Sequence, residues 1–214
     1  MKRLVVTLLC LLAGAACAEV EVLQPGPGDC CDSWVLEDAP DQNWGSWTAL
    51  MFGCTSEWDT WLALLRFDEL DDPRFDDIIL QDAALWLMPQ EGGGSGSPPL
   101  DCFVRKITGD WDQDTVTWNN KPQYDMYPTI DFTYTTDEDW IIVDVFEIVD
   151  DWIIEGHTQH SFCVGPEENH YCSVLCCSGE YDEPGYYYYR PALRLTYSPA
   201  AVSETSWGEI KALE

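Results

Sequence analysis

A succession of short apolar runs, each ended by turn-forming residues, dominates the sequence from residue 32 to residue 198. Runs of this length are typical of β-strands in a sandwich or barrel, because Pro, Gly, Asp and Asn end each strand and turn the chain. Between these runs, residues 38–45 and 92–99 are predicted loops. The predicted strands are residues 33–36, 48–52, 61–67, 78–88, 102–107, 116–118, 140–143, 161–164 and 192–197.

One segment has a helical period instead. Val145, Ile148, Val149 and Trp152 recur at helical spacing, so a short helix is predicted there. Asp144 precedes them and is the expected N-cap of this helix. The strands and the single helix together predict an all-β fold, a jelly-roll-like β-sandwich with one short helix.

The first 18 residues have the parts of a signal peptide. Lys2 and Arg3 precede an apolar run at residues 4–12 that is too short to cross a bilayer, and small residues follow at a cleavage site. The alternatives are an N-terminal anchor helix and a lipoprotein attached through Cys17. We therefore expect a secreted or cell-surface protein with a signal peptide at 1–18, a lead-in at 19–31, one β-sandwich at 32–198 and a tail at 199–214.

The chain is strongly acidic. Its formal net charge is −29, and removal of Lys2 and Arg3 with the signal peptide would make it −31. Such a field repels nucleic acid, anionic lipid and polyuronate chains, and it favours neutral glycans, divalent cations and basic partners. Acidity also serves solubility or life at high salt, so it identifies no partner by itself.

Eight of the ten cysteines remain after removal of the signal peptide. An even number in a secreted chain is typical of disulfide bonds, whose pairing the sequence leaves open. The alternative is a zinc site built from His170 and the last three cysteines, with His157 and His160 nearby, although that spacing is irregular for zinc. The disulfide candidates are Cys30, Cys31, Cys54, Cys102, Cys163, Cys172, Cys176 and Cys177.

Several of these segments resemble the DNRLRE domain, a family related to carbohydrate-binding modules. The most specific is the block at residues 104–122, which contains Trp111 and ends V-T-W-N-N-K-P around Trp118. The resemblance runs from about residue 33 to residue 197. Shorter similarities lie at residues 64–68 (L-L-R-F-D), 82–87 (D-A-A-L-W-L), 144–146 (D-V-F) and 190–193 (R-P-A-L).

The resemblance implies a β-sandwich found beside polysaccharide-degrading enzymes or in extracellular wall and matrix proteins. Family members that bind sugars are associated with acidic polysaccharides such as alginate, whose recognition needs Lys and Arg, and this chain has only 10 of these residues. Within the shared motifs, Arg66 and Arg190 are expected to be structural ion-pair partners, and Trp111 and Trp118 are expected to pack in the core. The chain departs from the family in its Cys-rich segment and in four consecutive tyrosines.

Two groups of aromatic residues are candidates for stacking on a sugar. Tyr186 and Tyr188 would share one face of a strand, and Trp44 and Trp47 flank a glycine in a predicted loop. A flat ring in water suits the C–H face of a sugar. The alternative is that these rings pack against the Cys-rich segment.

Asp110, Asp112 and Asp114 alternate along the chain, which is a spacing that calcium ligands can have. The string lacks the Gly and the distal Glu of an EF-hand loop, and three solvated acids are the alternative. Calcium is therefore a candidate cofactor, and the sequence indicates no other.

The sequence contains no motif of a serine hydrolase, a zinc protease or a P-loop enzyme, so we predict no catalytic activity. We predict a secreted module that binds a polysaccharide or a cell-surface glycan. The alternative is a structural or adhesive module of an extracellular matrix, sheath or surface layer, which would self-associate. Residues 206–213 (S-W-G-E-I-K-A-L) are similar to tails of other secreted bacterial proteins, so a sorting role and a frayed end are both open.

Overall fold

A computed structural model describes residues 18–55, 57, 59–91, 94–136, 139–156, 159–168 and 170–200. The predicted signal peptide up to residue 17 and the predicted tail from residue 201 lie outside the described residues. The strands are β1 (Glu19–Leu23), β2 (Cys31–Leu36), β3 (Ala49–Cys54), β4 (Thr60–Arg66), β5 (Ile78–Leu87), β6 (Ser95–Gly96), β7 (Leu100–Ile107), β8 (Tyr124–Tyr134), β9 (Ile141–Asp144), β10 (Ser161–Pro166), β11 (Cys172–Cys177) and β12 (Ala192–Pro199). Helix α1 spans Phe146–Glu155, and 3-10 helices lie at Asp68–Asp71, Pro73–Phe75 and Tyr187–Tyr189.

These strands form two antiparallel sheets. The smaller sheet has the order β1-β12-β5-β9, and the larger has the order β6-β11-β3-β4-β10-β7-β8, with β2 also paired to β4. The two sheets and the single helix of the described residues confirm the predicted all-β sandwich. Because the side chains of a strand alternate between faces, each sheet can give one face to a shared core.

The main core lies between the two sheets. Strand β5 buries Ala83, Leu85 and Leu87, which alternate along the strand and so share one face, and β12 opposes them with Leu193 and Leu195. Burial of each of these Leu side chains stabilises the fold by about 1.5–3 kcal/mol. The residues with the opposite parity on both strands form the outer face of the smaller sheet.

Helix α1 begins one residue later than the sequence predicts. Its N-cap position is Val145, while the carboxylate of Asp144 accepts a hydrogen bond from the backbone N–H of Phe146 at 3.0 Å. The helix ends at Gly156, which has a left-handed conformation (φ 67°) and donates its N–H to the carbonyl of Trp152. Within the described residues no helix is both long enough and apolar enough to cross a membrane.

A second, smaller core forms where the block at residues 111–124 covers Val35, Leu62 and Leu64 of the larger sheet. Residues 116–118 are not the strand that their composition predicts. The side chain of Asn120 instead accepts from the Thr117 N–H at 2.6 Å and donates to the carbonyl of Thr115 at 3.0 Å. A side chain that forms hydrogen bonds with nearby backbone groups takes the place of a neighbouring strand, and it therefore favours a turn over a paired β-strand.

Several strands of the structure have no counterpart among the predicted ones. Strand β1 falls in the predicted lead-in, β6 in a predicted loop and β11 in the Cys-rich segment. Among the described strands β8 lies at the edge of its sheet, paired with β7, and Pro128 and Asp131 interrupt its apolar pattern. Edge strands commonly contain proline and charged residues, so a prediction based on apolar runs does not identify them.

Candidate functional site

An open groove of about 730 Å³ lies beside β11. Residues 88–91, which follow β5, line one part of it together with residues 94–96 and Pro98 around β6. Tyr134 at the end of β8, and Tyr181 and Tyr189 between β11 and β12, also line it. The groove is therefore built from segments that are distant in sequence, and three of its residues are tyrosines.

Two glycines hold the β6 wall of the groove close to β11. Gly94 and Gly96 have φ values of +93° and +90°, which L side chains rarely adopt. A Cβ at Gly94 would collide with the carbonyl of Ser173, and Ser95 donates its N–H to the hydroxyl of the same residue at 3.0 Å. This wall is thus a paired segment and not the unpaired loop that its composition predicts.

The groove tyrosines present neutral hydroxyl groups. A hydrogen bond of 2.6 Å to Glu183 raises the pKa of Tyr181 to about 12, and a hydrogen bond with Tyr188 raises the pKa of Tyr189 to about 12. Both hydroxyls therefore stay protonated near neutral pH and can donate and accept hydrogen bonds. Gln90, Glu91 and Asp139 add amide and carboxylate groups to the same groove.

Arg190 holds residues 181–189, which we call the tyrosine segment, in place. Its guanidinium donates to the carbonyl of Tyr181 at 2.8 Å, pairs with Asp182 at 3.3 Å and lies 5.1 Å from the ring centroid of Tyr187. Gln24, which follows β1, donates to the carbonyl of Arg190 at 2.8 Å. Arg190 thus forms the ion pair expected from the sequence, with Asp182, and its other contacts connect the tyrosine segment to the residue that follows β1.

The groove is acidic. Among the described residues that line it there is no Lys or Arg, while Glu91 and Asp139 are both present. Six described cations pair instead with carboxylates elsewhere: Arg66 with Asp68, Arg74 with Glu21, Arg105 with Glu167, Lys106 with Asp151, Arg190 with Asp182 and Arg194 with Asp82. A seventh, Lys121, lies against the ring of Trp118, and these seven cations all lie outside the groove.

The four consecutive tyrosines do not form a strand. Tyr187–Tyr189 is a 3-10 helix, so Tyr186, Tyr187 and Tyr188 are all exposed, at 43%, 45% and 55%. The predicted pair, Tyr186 and Tyr188, has ring centroids 6.4 Å apart with planes inclined by 33°. The predicted alternation is wrong, but these two rings are neighbours at the surface, and both contact Tyr189 of the groove.

Trp44 and Trp47 belong to a separate tryptophan cluster. Trp44 stacks on the buried Trp34, with ring centroids 4.2 Å apart and planes inclined by 14°. Trp47 meets Trp44 edge-on at 4.7 Å and is 47% exposed. Because one face of Trp44 is used for packing, Trp47 is the more accessible member of the predicted pair. Trp61 lies 6.0 Å from Trp34 and completes the cluster.

The structure does not gather the three predicted calcium ligands. Asp112 accepts the N–H of Asp114 at 2.8 Å, as in a local turn, while Asp110 accepts from the amide of Gln159 at 2.7 Å. Across the described part of the chain, no group of three or more His, Cys, Asp or Glu side chains could hold a metal ion. Calcium binding stays an untested prediction.

The zinc alternative places no ligand group in the described residues either. A ring nitrogen of His170 lies 2.7 Å from the carbonyl of Ser97, and the ring of His160 lies against Trp152. His157 lies outside the described residues. The two described histidines therefore sit in different surroundings.

None of the eight described cysteines is in a disulfide bond. Burial raises the pKa of every one of these thiols, which keeps them protonated. Cys102, Cys172 and Cys176 pack in the main core, and Cys31 and Cys163 pack in the smaller one. No disulfide pairing is confirmed, and disulfide formation stays a prediction.

The remaining motif residues stabilise the smaller core. Arg66 donates to Asp68 at 2.7 and 3.0 Å and to the carbonyl of Trp111 at 3.0 Å. Trp111 is 8% exposed and donates its indole N–H to the hydroxyl of Ser161 at 3.2 Å. Trp118 is partly buried against this core, and the ammonium of Lys121 lies 3.7 Å from its ring centroid.

Sequence reasoning missed most of the groove. Tyr134, Tyr181, Glu91 and Asp139 stand in four separate segments, and none belongs to a motif. Among the three tyrosines of the groove, only Tyr189 carried a sequence signal, because it belongs to the run of four tyrosines. Residues that meet only through strand pairing leave no local pattern in a single sequence.

Comparison with known protein families finds a match over most of the chain. Residues 30–187 match the family described as carbohydrate-binding module family 96. No curated protein sequence matches the chain. The DNRLRE resemblance is not confirmed under that name, although it was expected to indicate a relative of carbohydrate-binding modules. The match covers more than half of the sequence, and the chain therefore belongs to carbohydrate-binding module family 96.

Proposed function

We propose that this carbohydrate-binding module is secreted, has no catalytic activity and binds a neutral glycan in the groove beside β11. The observation that carries the proposal is the convergence of Tyr134, Tyr181 and Tyr189 with amide and carboxylate groups in one open groove. Aromatic rings supply apolar faces for the C–H groups of a pyranose, and the polar groups supply partners for its hydroxyls.

The charge of the groove supports a neutral ligand. Glu91 and Asp139 accept hydrogen bonds from sugar hydroxyls but repel carboxylates. The formal net charge of −29 adds a long-range repulsion against polyuronates. This differs from the alginate preference associated with related sugar-binding proteins, and the physical reason is that no Lys or Arg is among the described residues that line the groove.

The absence of catalysis rests on family membership and on the sequence, which lacks the motifs of hydrolases that act through a nucleophilic serine or a metal. Secretion rests on the predicted signal peptide and on the usual extracellular use of such modules. The non-catalytic part is tested by incubating the purified protein with each polysaccharide that it binds and assaying reducing ends. Release of reducing ends above a boiled control would contradict the non-catalytic part.

The binding proposal is tested by isothermal titration calorimetry of the protein with soluble β-glucan, mannan and xylan, and with polygalacturonate as the acidic counterpart. We expect saturable binding to at least one neutral polysaccharide and none to polygalacturonate. Tyr189→Ala should weaken the binding about tenfold, because loss of an aromatic stacking partner costs about 1–1.5 kcal/mol. Tyr127→Ala is the matched control, since Tyr127 is 83% exposed and lies outside the groove.

The outcomes separate the parts of the proposal. Equal loss of affinity in the two tyrosine variants would remove the groove as the site. Binding to polygalacturonate alone would reverse the assigned ligand class. Failure to bind any of the four polysaccharides would contradict the carbohydrate-binding role of this chain under these conditions.

A structural or adhesive role is the second candidate, and one observation favours it. Val20, Val22 and Ile142 are exposed on the outer face of the smaller sheet, at 55–58% each. Exposed apolar side chains on one sheet face are suited to contact with another surface. Sedimentation velocity at 0.1 and 1 M NaCl tests this role, because salt screens the repulsion between acidic copies. A monomer under both conditions would exclude assembly through this face.

A further inference from the structure

A band of aromatic rings continues away from the groove. This band, which we call the aromatic strip, consists of Trp86, Trp140, Tyr189, Tyr188 and Tyr186. Ring centroids are 5.8 Å apart between Trp86 and Trp140, 6.4 Å between Trp140 and Tyr189, and 4.3 Å between Tyr189 and Tyr188. Tyr186 lies 5.4 Å from Tyr189. Each ring of the strip therefore contacts the next.

The strip joins the groove to the outer face of the smaller sheet. Tyr189 and Asp139 line the groove, and Trp140 directly follows Asp139. Trp86 lies on β5 between Ala192 of β12 and Ile142 of β9. The strip thus begins in the groove wall and ends on the sheet.

Packing does not account for the strip. Tyr186 and Tyr188 are exposed, and Trp86, Trp140 and Tyr189 are half-buried, so none of the five belongs to either buried core. A row of rings that are exposed or half-buried, outside either core, is suited to a ligand that presents apolar faces along its length.

We propose that the aromatic strip extends the groove into a platform for one linear, uncharged polysaccharide chain, which the protein contacts along its length. This inference rests on the proposed function, since it assumes that the groove binds a glycan. It adds that the ligand is a polymer and that its recognition does not depend on a chain end. Trp86 and Trp140 become binding residues that neither the sequence patterns nor the groove lining identify.

The orientation of the rings indicates what form of polymer fits. Successive planes are inclined by 58° between Trp86 and Trp140, by 60° between Trp140 and Tyr189, and by 64° between Tyr189 and Tyr188. A flat crystalline surface needs coplanar rings, whereas a single chain can twist from one ring to the next. The strip therefore suits a single hydrated chain and not the face of a crystal.

The test measures affinity against chain length by calorimetry, using cello-, manno- and xylo-oligosaccharides of two to six units with the wild type, Tyr189→Ala and Trp140→Ala. For the series that binds, we expect the affinity of the wild type to keep rising up to five or six units. Tyr189→Ala should weaken short and long chains alike, because this ring lies in the groove. Trp140→Ala should leave the two- and three-unit ligands unchanged and weaken the six-unit ligand about tenfold.

Each outcome decides the inference. An affinity that stops rising at two or three units would overturn the strip while leaving the groove intact. If Trp140→Ala binds every chain length with the same affinity as the wild type, the strip is likewise overturned while the groove stands. Failure of all three series and of the soluble polysaccharides would remove the proposed function itself. Binding to microcrystalline cellulose as tight as to the soluble chain would overturn the single-chain form.

A folding defect in Trp140→Ala would not hide the answer. Thermal melting of each variant identifies such a defect, and Trp140→Leu then keeps the apolar volume while removing the flat ring. The chain-length series of the wild type gives an independent result, because it needs no variant. Tyr127→Ala again serves as the aromatic control outside the strip.

Discussion

The tryptophan cluster and the tyrosine segment contain similar numbers of aromatic rings, but the first mostly packs its rings against each other and the second exposes most of them to solvent. In the tryptophan cluster, Trp34 and Trp44 stack nearly parallel and cover each other. In the tyrosine segment, a 3-10 turn spreads Tyr186 and Tyr188 into solvent. Rings that cover each other stabilise the fold, whereas rings that face water remain available to a ligand. Aromatic content therefore locates a binding surface only when the backbone leaves the ring faces uncovered.

The largest effect that tests this contrast is the loss of a ring in the tryptophan cluster. Trp34 is 3% exposed, and we expect Trp34→Ala to lower the free energy of unfolding by about 3–5 kcal/mol, because the substitution leaves a large cavity. Urea denaturation followed by tryptophan fluorescence measures the change. Trp47→Ala, at the exposed end of the cluster, should cost no more than about 1 kcal/mol. Similar losses for the two variants would show that the cluster does not act as core.

An intermediate effect on the free energy of unfolding concerns residues 178–180, which lie between β11 and the tyrosine segment and contact the tryptophan cluster. The hydroxyl of Ser178 donates to the carbonyl of Trp47 at 2.7 Å, and the next residue, Gly179, donates its N–H to the buried carboxylate of Asp32 at 2.6 Å. Burial raises the pKa of Asp32 to about 7, with Glu180 adding to the shift and the Gly179 N–H opposing it. The folded chain therefore binds this proton more tightly than the unfolded chain, whose pKa is near 3.8.

The sign of the pH dependence follows from that difference. As pH falls from 8 through 7 towards 4, Asp32 takes up its proton in the folded chain first, so this group makes the fold more stable. The gain should be roughly 2–4 kcal/mol, at about 1.4 kcal/mol for each pKa unit. Urea denaturation of the wild type and Asp32→Asn at pH 5 and pH 8 isolates this group from the other acids. The variant should lose this part of the pH dependence, and parallel curves for the two proteins would contradict the assignment.

The smallest effect on stability belongs to the exposed tyrosines. The double variant Tyr186→Ala/Tyr188→Ala should change the free energy of unfolding by no more than about 0.5 kcal/mol, because neither ring is buried. The same variant should weaken binding to a long neutral glycan about tenfold, because two exposed rings of the strip are removed. Denaturation and calorimetry on one preparation compare the two quantities. A large loss of stability with unchanged affinity would place these rings with Trp34 and Trp44 as structural residues.

Much of the fold could be predicted, because its main strands alternate clearly. A period of two places Ala83, Leu85 and Leu87 on one face of β5, and places Leu193 and Leu195 together on one face of β12, and both sets are buried. Strand β8 could not be predicted in the same way, since it has one partner strand and its composition is that of an edge. Residues 116–118 show the opposite error, because their β-branched and aromatic composition is overridden by the side chain of Asn120.

The candidate site was less accessible to prediction. Its exposed tyrosines were identified from composition, but their arrangement depends on a 3-10 turn that Arg190 holds through contacts with Tyr181 and Asp182. The alternating carboxylates show the same limit, since Asp110 and Asp112 are engaged by different partners. Spacing along a chain predicts coordination only when the backbone also brings the oxygens together.

By itself the sequence determined the class of fold, the acidic character and the family to which the chain belongs, because these depend on local periodicity, composition and motifs. Only the tertiary structure decided which rings face water, which cations are neutralised and where Tyr134, Tyr181 and Tyr189 meet. The physical reason is that exposure, pairing and convergence depend on contacts between residues far apart in the chain. Such contacts form through strand pairing and burial, and no short segment of sequence contains them.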